Sequence, residues 1–219
     1  MSTETGQHAH RFMIGTAACA VVSDGTNTYR NPMPLLFENA LKADLDPVLR
    51  AHDIDPDAWN EWISPYSALL IDTGQRRILV DTGAGGRAPT NGKLLGNLRA
   101  EGVDPAAIET VLLTHGHPDH IGGTLDADQR PAFPNARYVL WRDEWQFWTS
   151  TSDPTKVPVR DVLKDHVARW RSVAQYQLIP VELQLELLDR DTEIAPGVKA
   201  LAAAGHTPGH LVVEVTSRG

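Results

Sequence analysis

The sequence predicts a mixed α/β fold, and three observations support this. Short apolar runs at residues 66–71, 77–80 and 110–113 are bounded by turn-forming residues, as strands are. Stretches with helical periodicity, such as residues 93–100 and 160–174, lie between and after them. The composition is globular, with 42% hydrophobic and 22% charged residues in a 219-residue chain that suits one large domain.

Taken in order, residues 1–11 read as a polar, flexible tail, and His8 and His10 belong to it. Residues 12–22 are apolar and small and read as a strand ending in a turn at Asp24-Gly25. Cys19 lies within that run as an inert core thiol, and being the only cysteine it excludes an intrachain disulfide and a cysteine-based zinc site. After an irregular stretch from Asn31, Asp46-Pro47 supplies an N-cap and a first-turn proline for a short helix through His52. Residues 66–71 and 77–80 form a hairpin around Asp72-Thr73-Gly74.

The glycine-rich residues 83–92 invite a phosphate-loop reading but lack the lysine and serine of a P-loop and the dinucleotide spacing, so they read as a loop. A helix over 93–100 stops at Gly102, and Asp104-Pro105 begins a helical turn before the strand at 110–113. A strand over 137–141 leads into a helix with Asp143 and Glu144 in its first turn. Trp141, Trp145 and Trp148 would align if Trp141 already lies in that helix, either as core or, for Trp145 and Trp148, as the wall of a substrate pocket, with Trp59 or Trp62 joining them. Residues 150–158 read as a polar loop. The helix at 160–174 then carries the stripe Leu163, Val167, Trp170 and Ala174, with His166 beside it, as a lid or a plain packing element. Strands at 198–204 and 211–215 close the chain, with Glu214 on an outward face.

The chemistry concentrates in His115-Gly116-His117-Pro118-Asp119-His120. At the end of an extended segment, side chains two apart point to one side, so His115 and His117 can bind one ion together. After the bend at Pro118, Asp119 and His120 can reach a second ion or a bound water. Imidazole suits zinc and iron, while a carboxylate adds a hard ligand or a proton acceptor. The turn Gly205-His206-Thr207-Pro208-Gly209-His210 supplies a third ligand, His206, so that five of the nine histidines lie in two short motifs.

Leu113 to Gly123, with its His-x-His-x-Asp-His core, resembles the signature of the metallo-β-lactamase-fold hydrolases, and Gly205 to His210 resembles their downstream ligand turn. Ile78-Leu79-Val80-Asp81-Thr82-Gly83 is similar to the family strand that ends in Asp-Thr-Gly. The resemblance implies a four-layered αβ/βα sandwich, with His115, His117 and His206 on one zinc ion and Asp119 and His120 on a second; iron, manganese or cobalt are alternatives. It also implies that Asp81 and His210 support the ligands from behind. Because the family uses a bridging aspartate and a last histidine farther on, the chain is expected to be a fragment that lacks the C-terminal part of its single domain.

Within the family, the N-terminal excursion and the Trp-rich segment look like the quorum-quenching lactonases and related organophosphate hydrolases. The implied activity is the opening of a lactone, such as an N-acyl homoserine lactone, by metal-bound hydroxide, with Asp119 as the catalytic carboxylate. A glyoxalase II-type thioester hydrolase, an organophosphate hydrolase, an iron-dependent persulfide dioxygenase and a catalytically incomplete fragment are the alternatives.

A net charge of −8 without a basic block argues against nucleic acid as partner and for a small-molecule substrate. No stretch reads as a signal peptide or a membrane span, so the expected setting is the cytoplasm, with a homodimer as the assembly left open.

Overall fold

The computed structural model describes residues 8–37, 39–151 and 161–217. Ten strands and six α-helices occur among the described residues. Thr26–Pro65 forms a compact unit of its own, and Met1–Gly25 with Tyr66–Gly219 forms the other.

Seven strands lie side by side in sequence order in one sheet, most of which belongs to the larger unit. They are β1 (Ala9–Ile14), β2 (Ala17–Arg30), β3 (Glu61–Asp72), β4 (Arg77–Val80), β5 (Thr110–Leu112), β6 (Arg137–Trp141) and β7 (Leu185–Leu188). β1 and β2 are antiparallel, as are β3 and β4, whereas β4 through β7 run parallel. A second sheet, β8 (Thr192–Ala195), β9 (Val198–Ala202) and β10 (Leu211–Val215), is an antiparallel meander.

Strand alternation divides the core in two. Leu79, Val111, Tyr138 and Leu140 face a cluster with Leu94 and Leu98 of α3 (Leu94–Ala100), Ile121 of α4 (Pro118–Ile121), and Ala174 and Leu178 of α6 (Asp161–Leu178). Their neighbours Ile78, Val80, Leu112 and Val139 face the opposite way, against Ile194, Val198, Ala200 and Leu211 of the second sheet. A parallel strand buried on both faces must be apolar throughout, which is why β4 and β5 read as continuous hydrophobic runs. Burying each such Leu or Ile contributes about 1.5–3 kcal/mol. Helices, the large sheet and the small sheet are thus three successive layers of the four that the resemblance implies.

The smaller unit contains α1 (Pro32–Leu36) and α2 (Lys42–Ala51). Arg50 of α2 pairs with Asp55 and Asp57, and Tyr29 stacks on Trp62 at 5.3 Å while Phe37 lies 6.5 Å from Trp59. The helix expected to begin at Asp46 begins at Lys42, with Pro47 inside it. His52 caps its C-terminal end, where it is exposed.

Other elements differ from expectation for identifiable reasons. The single strand expected at residues 12–22 is a hairpin that starts at Ala9, inside the expected tail, and turns at Gly15-Thr16, where Gly15 adopts φ 55°. Small residues on both sides hide that turn from a hydrophobic pattern. Asp24-Gly25 is no turn, because Asp24 is buried and its carboxylate accepts from the amides of Ala84 and Leu94 at 2.8 and 3.0 Å. Trp141 ends β6 in an extended conformation and caps α5 (Arg142–Thr149), so it does not align with Trp145 and Trp148 on one helix. α6 runs on to Leu178, and Val167, Trp170, Ala174 and Leu178 form its inward face. The expected loop at 150–158 beyond Thr151 and the Leu163 side chain lie outside the described residues. Cys19 is buried, and burial pushes its thiol pKa up, as an inert core thiol requires.

Candidate metal centre

The expected site residues converge where parallel strands end, the usual place for a site in an open α/β sheet. Asp81 follows β4, Thr114 and His115 follow β5, and α5 follows β6 without an intervening residue. Asp81 sits at φ 64°, a conformation that Asp tolerates better than most side chains, and its N–H donates to the Leu112 carbonyl at 2.9 Å. The second histidine turn is hung from the same place, because the Leu211 N–H donates to the Thr114 carbonyl at 3.0 Å and the Ala203 N–H to the His210 carbonyl at 2.8 Å.

His115, His117 and His206 each offer one ring nitrogen to a group whose members all lie within 4.8 Å of one another. His115 Nε2 is 3.0 Å from His117 Nδ1. Two imidazole nitrogens bound to one zinc ion at about 2.0–2.1 Å in tetrahedral geometry are roughly 3.3 Å apart, so this donor set fits an ion. Its charge state fits as well. Burial, then the neighbouring histidines, hold His115 far below the usual imidazole range and bring His117 down to about 3. Burial and then His210 lower His206. All three are therefore neutral near pH 7 and keep the lone pairs that a cation needs.

Hydrogen bonds behind His115 and His120 select the tautomers of those two rings. The Asp81 carboxylate accepts from the Thr114 amide at 2.7 Å and from the Thr114 hydroxyl at 2.9 Å, and Thr114 Oγ1 lies 3.0 Å from His115 Nδ1. With its own proton on Asp81, that hydroxyl accepts from His115 Nδ1–H and leaves Nε2 bare. Asp81 Oδ2 also accepts from His120 Nδ1 at 2.7 Å. Burial lowers the His120 pKa, but the Asp81 bond and charge outweigh it, so the net shift is upward. Asp119, 38% exposed on the single turn of α4, places Oδ2 3.7 Å from His120 Nε2. The His210 ring is 4.9 Å from that of His115 and 5.7 Å from that of His206, beside the three-histidine group and outside it.

Sequence reasoning missed Thr114, Trp170 and Glu144 as parts of the site. The Trp170 ring is 4.7 Å from His117 and the Trp148 ring 5.3 Å from it, and Trp148 is only 1% exposed. Trp148 therefore backs the ligand loop from within the core, and Trp145 packs partly buried against the same core, the first of the two roles that the sequence left open for them. Glu144 is fully buried. Its Oε2 accepts from the Gly116 amide at 2.8 Å and from Trp148 Nε1 at 2.6 Å, while its Oε1 accepts from the Gly209 amide at 2.8 Å. Both glycines are required by close approach: a Cβ would stand 2.2 Å from Trp148 Cδ1 at Gly116 and 2.7 Å from the Glu144 nitrogen at Gly209.

Comparison with known proteins agrees with this arrangement. The Metallo-beta-lactamase superfamily profile matches residues 62–219. An N-acyl homoserine lactonase of Bacillus cereus is 25% identical over an alignment of 177 residues that covers 71% of this chain and 60% of the relative, so the chain spans about three-fifths of the length of the curated relatives it matches. Among solved structures, the hydrolase AbOPH of the beta lactamase superfamily gives a TM-score of 0.81 at 28% identity, with 97% of this chain and 71% of that one covered. AidC, a dizinc quorum-quenching lactonase in complex with a homoserine product, gives 0.78 at 24% identity over 95% of this chain and 70% of that one, a likeness of fold. Asp81, the whole histidine run and the 205–210 turn all fall inside the matched region, and by this profile and this sheet the chain belongs to the metallo-β-lactamase superfamily.

Proposed function

We propose that this chain is a metal-dependent hydrolase that opens a lactone ring, with an N-acyl homoserine lactone as its substrate class. The observation that carries the reading is the group of three histidines whose ring nitrogens lie within 4.8 Å of one another, with Thr114 and Asp81 hydrogen-bonded in series behind His115. His115, His117 and His206 would hold one ion, and Asp119 with His120 would serve a second. Zinc suits nitrogen donors of this kind, and the relative AidC is dizinc. What an ion supplies at such a donor set is Lewis acidity, which polarises a carbonyl and makes water acidic enough to attack near neutral pH.

The residues of the chain do the rest. Asp119 Oδ2 is open to solvent and next to the cluster, where it takes the proton from the attacking water. As the carbon–oxygen bond of the ring breaks, the same atom returns the proton to the departing ring oxygen, and a hydroxy acid results. Trp148 and Trp170 close off the side of His117 that faces the core.

The test is lactone opening by the zinc-reconstituted protein, followed with a pH indicator and N-hexanoyl homoserine lactone, together with metal content per chain. His117→Ala should lose bound metal, and both it and Asp119→Ala should lower the rate at least 100-fold. Unchanged rates in both variants would overturn the reading. A thioester and a phosphotriester assayed in parallel assign the substrate class, since faster turnover of either one displaces the lactone.

A further inference from the structure

The two histidine-bearing segments come from distant parts of the chain, yet their ligand nitrogens must be held to within tenths of an ångström for one ion to bind all three. Backbone bonds fix the outer ends of the segments through Leu211 and Thr114. Between the histidines themselves, Gly116 and Gly209 both donate to a single side chain, that of Glu144.

We propose that Glu144 is a positioning residue that ties the His115–His117 loop to the His206–His210 turn and thereby sets the separation of the three ligand nitrogens. This rests on the metal-site reading given above. The chemistry of the side chain supports it. Three N–H groups from three directions converge on one buried carboxylate, and only a carboxylate accepts at both of its terminal atoms. Glutamine has the same shape but accepts only through its oxygen. If that oxygen stays with Gly116 and Trp148, the amide nitrogen meets the Gly209 N–H donor to donor, and the reverse orientation disrupts the other loop. Glu144 is also placed rigidly. It lies in the first turn of α5, which begins directly at the end of β6, and Trp148, one turn later on the same helix, donates to it.

The experiment measures Co2+ affinity and the visible d–d spectrum of wild type, Glu144→Gln and Glu144→Asp, alongside apo-state thermal unfolding and the amide resonances of Gly116 and Gly209. Glu144→Gln should remain folded, bind Co2+ at least tenfold more weakly, within the 10- to 100-fold range expected of residues that orient ligands, and show altered d–d bands. One of the two glycine amides should move upfield. A role confined to stability would lower only the unfolding temperature and leave affinity and spectrum intact, and that result overturns the proposal. If Glu144→Gln does not fold, Glu144→Asp decides: one methylene shorter, it reaches only one of the two turns, so unchanged affinity overturns the proposal and a loss supports it. Wild type that binds no Co2+ would remove the metal reading, whereas wild type that binds beside an unaffected Glu144→Gln would remove the positioning role alone.

Discussion

Asp81 Oδ2 and His120 Nδ1 are 2.7 Å apart, and the same carboxylate holds the Thr114 amide and hydroxyl. One side chain just beyond β4 therefore orients residues on two sides of the His115–His117 loop.

This relationship predicts the behaviour of Asp81→Asn. Asparagine tolerates the positive φ of this position, so the backbone is not strained anew. Its amide nitrogen cannot accept, however, and either His120 or Thr114 loses a partner. The expected outcome is a stability loss of about 1–3 kcal/mol by chemical denaturation of the apo protein. Metal affinity should fall about 10- to 100-fold by competitive titration. Wild-type values in both measurements would contradict the tautomer assignment.

Gly116→Ala tests how tightly the ligand loop lies on the core. The new methyl would meet Trp148 Cδ1 at 2.2 Å, and that ring is buried and cannot swing away. We expect destabilisation of about 1–3 kcal/mol, the cost of overpacking a filled core. A shift in tryptophan emission should accompany it as Trp148 is displaced. An alanine variant as stable as the parent would show that the loop can lift freely.

Arg77 and Asp72 give a prediction about acid. Arg77 Nε donates to Asp72 Oδ2 at 2.8 Å, and this bond, opposed by burial and helped by the Gly74 amide, holds Asp72 below its ordinary value of 3.8. A carboxylate depressed in the folded state contributes stability that is present above pH 3.8 and is lost as the pH falls through the folded value. Both groups are partly exposed, so the contribution is small, about 0.5 kcal/mol. Arg77→Gln should be less stable than wild type by about that amount at pH 7, and the gap should close as the pH falls below 3.8 and through the folded value of Asp72. A gap that persists unchanged in acid would assign it to packing by the arginine stem.

The separation between what could be read from the sequence and what could not follows the distance over which each signal acts. The histidine run was legible because its residues are adjacent in the chain and its spacing carries the chemistry. Asp81 was legible through the resemblance of Ile78 to Gly83 to a family strand that ends in Asp-Thr-Gly. Glu144 was not, because its partners Gly116 and Gly209 lie 28 and 65 residues away and contribute only backbone amides, which leave no trace in residue type. Read locally it is one more acid at the start of a helix. Trp170 appeared as one member of an apolar stripe, and only the fold brings that stripe to the His117 ring. The Gly15 turn was missed for the opposite reason: its signal is local but weak, a two-residue reversal among small residues.

The amides of Gly116 and Gly209 end on a carboxylate with no exposed surface. Solvent deuterons can reach those two protons only when α5 lifts away, so both should exchange on the timescale of core opening and not on that of a surface loop. By composition these turns look like the softest parts of the chain, yet their two glycine amides should exchange with its slowest unit, and the frame between the histidines is set by the fold.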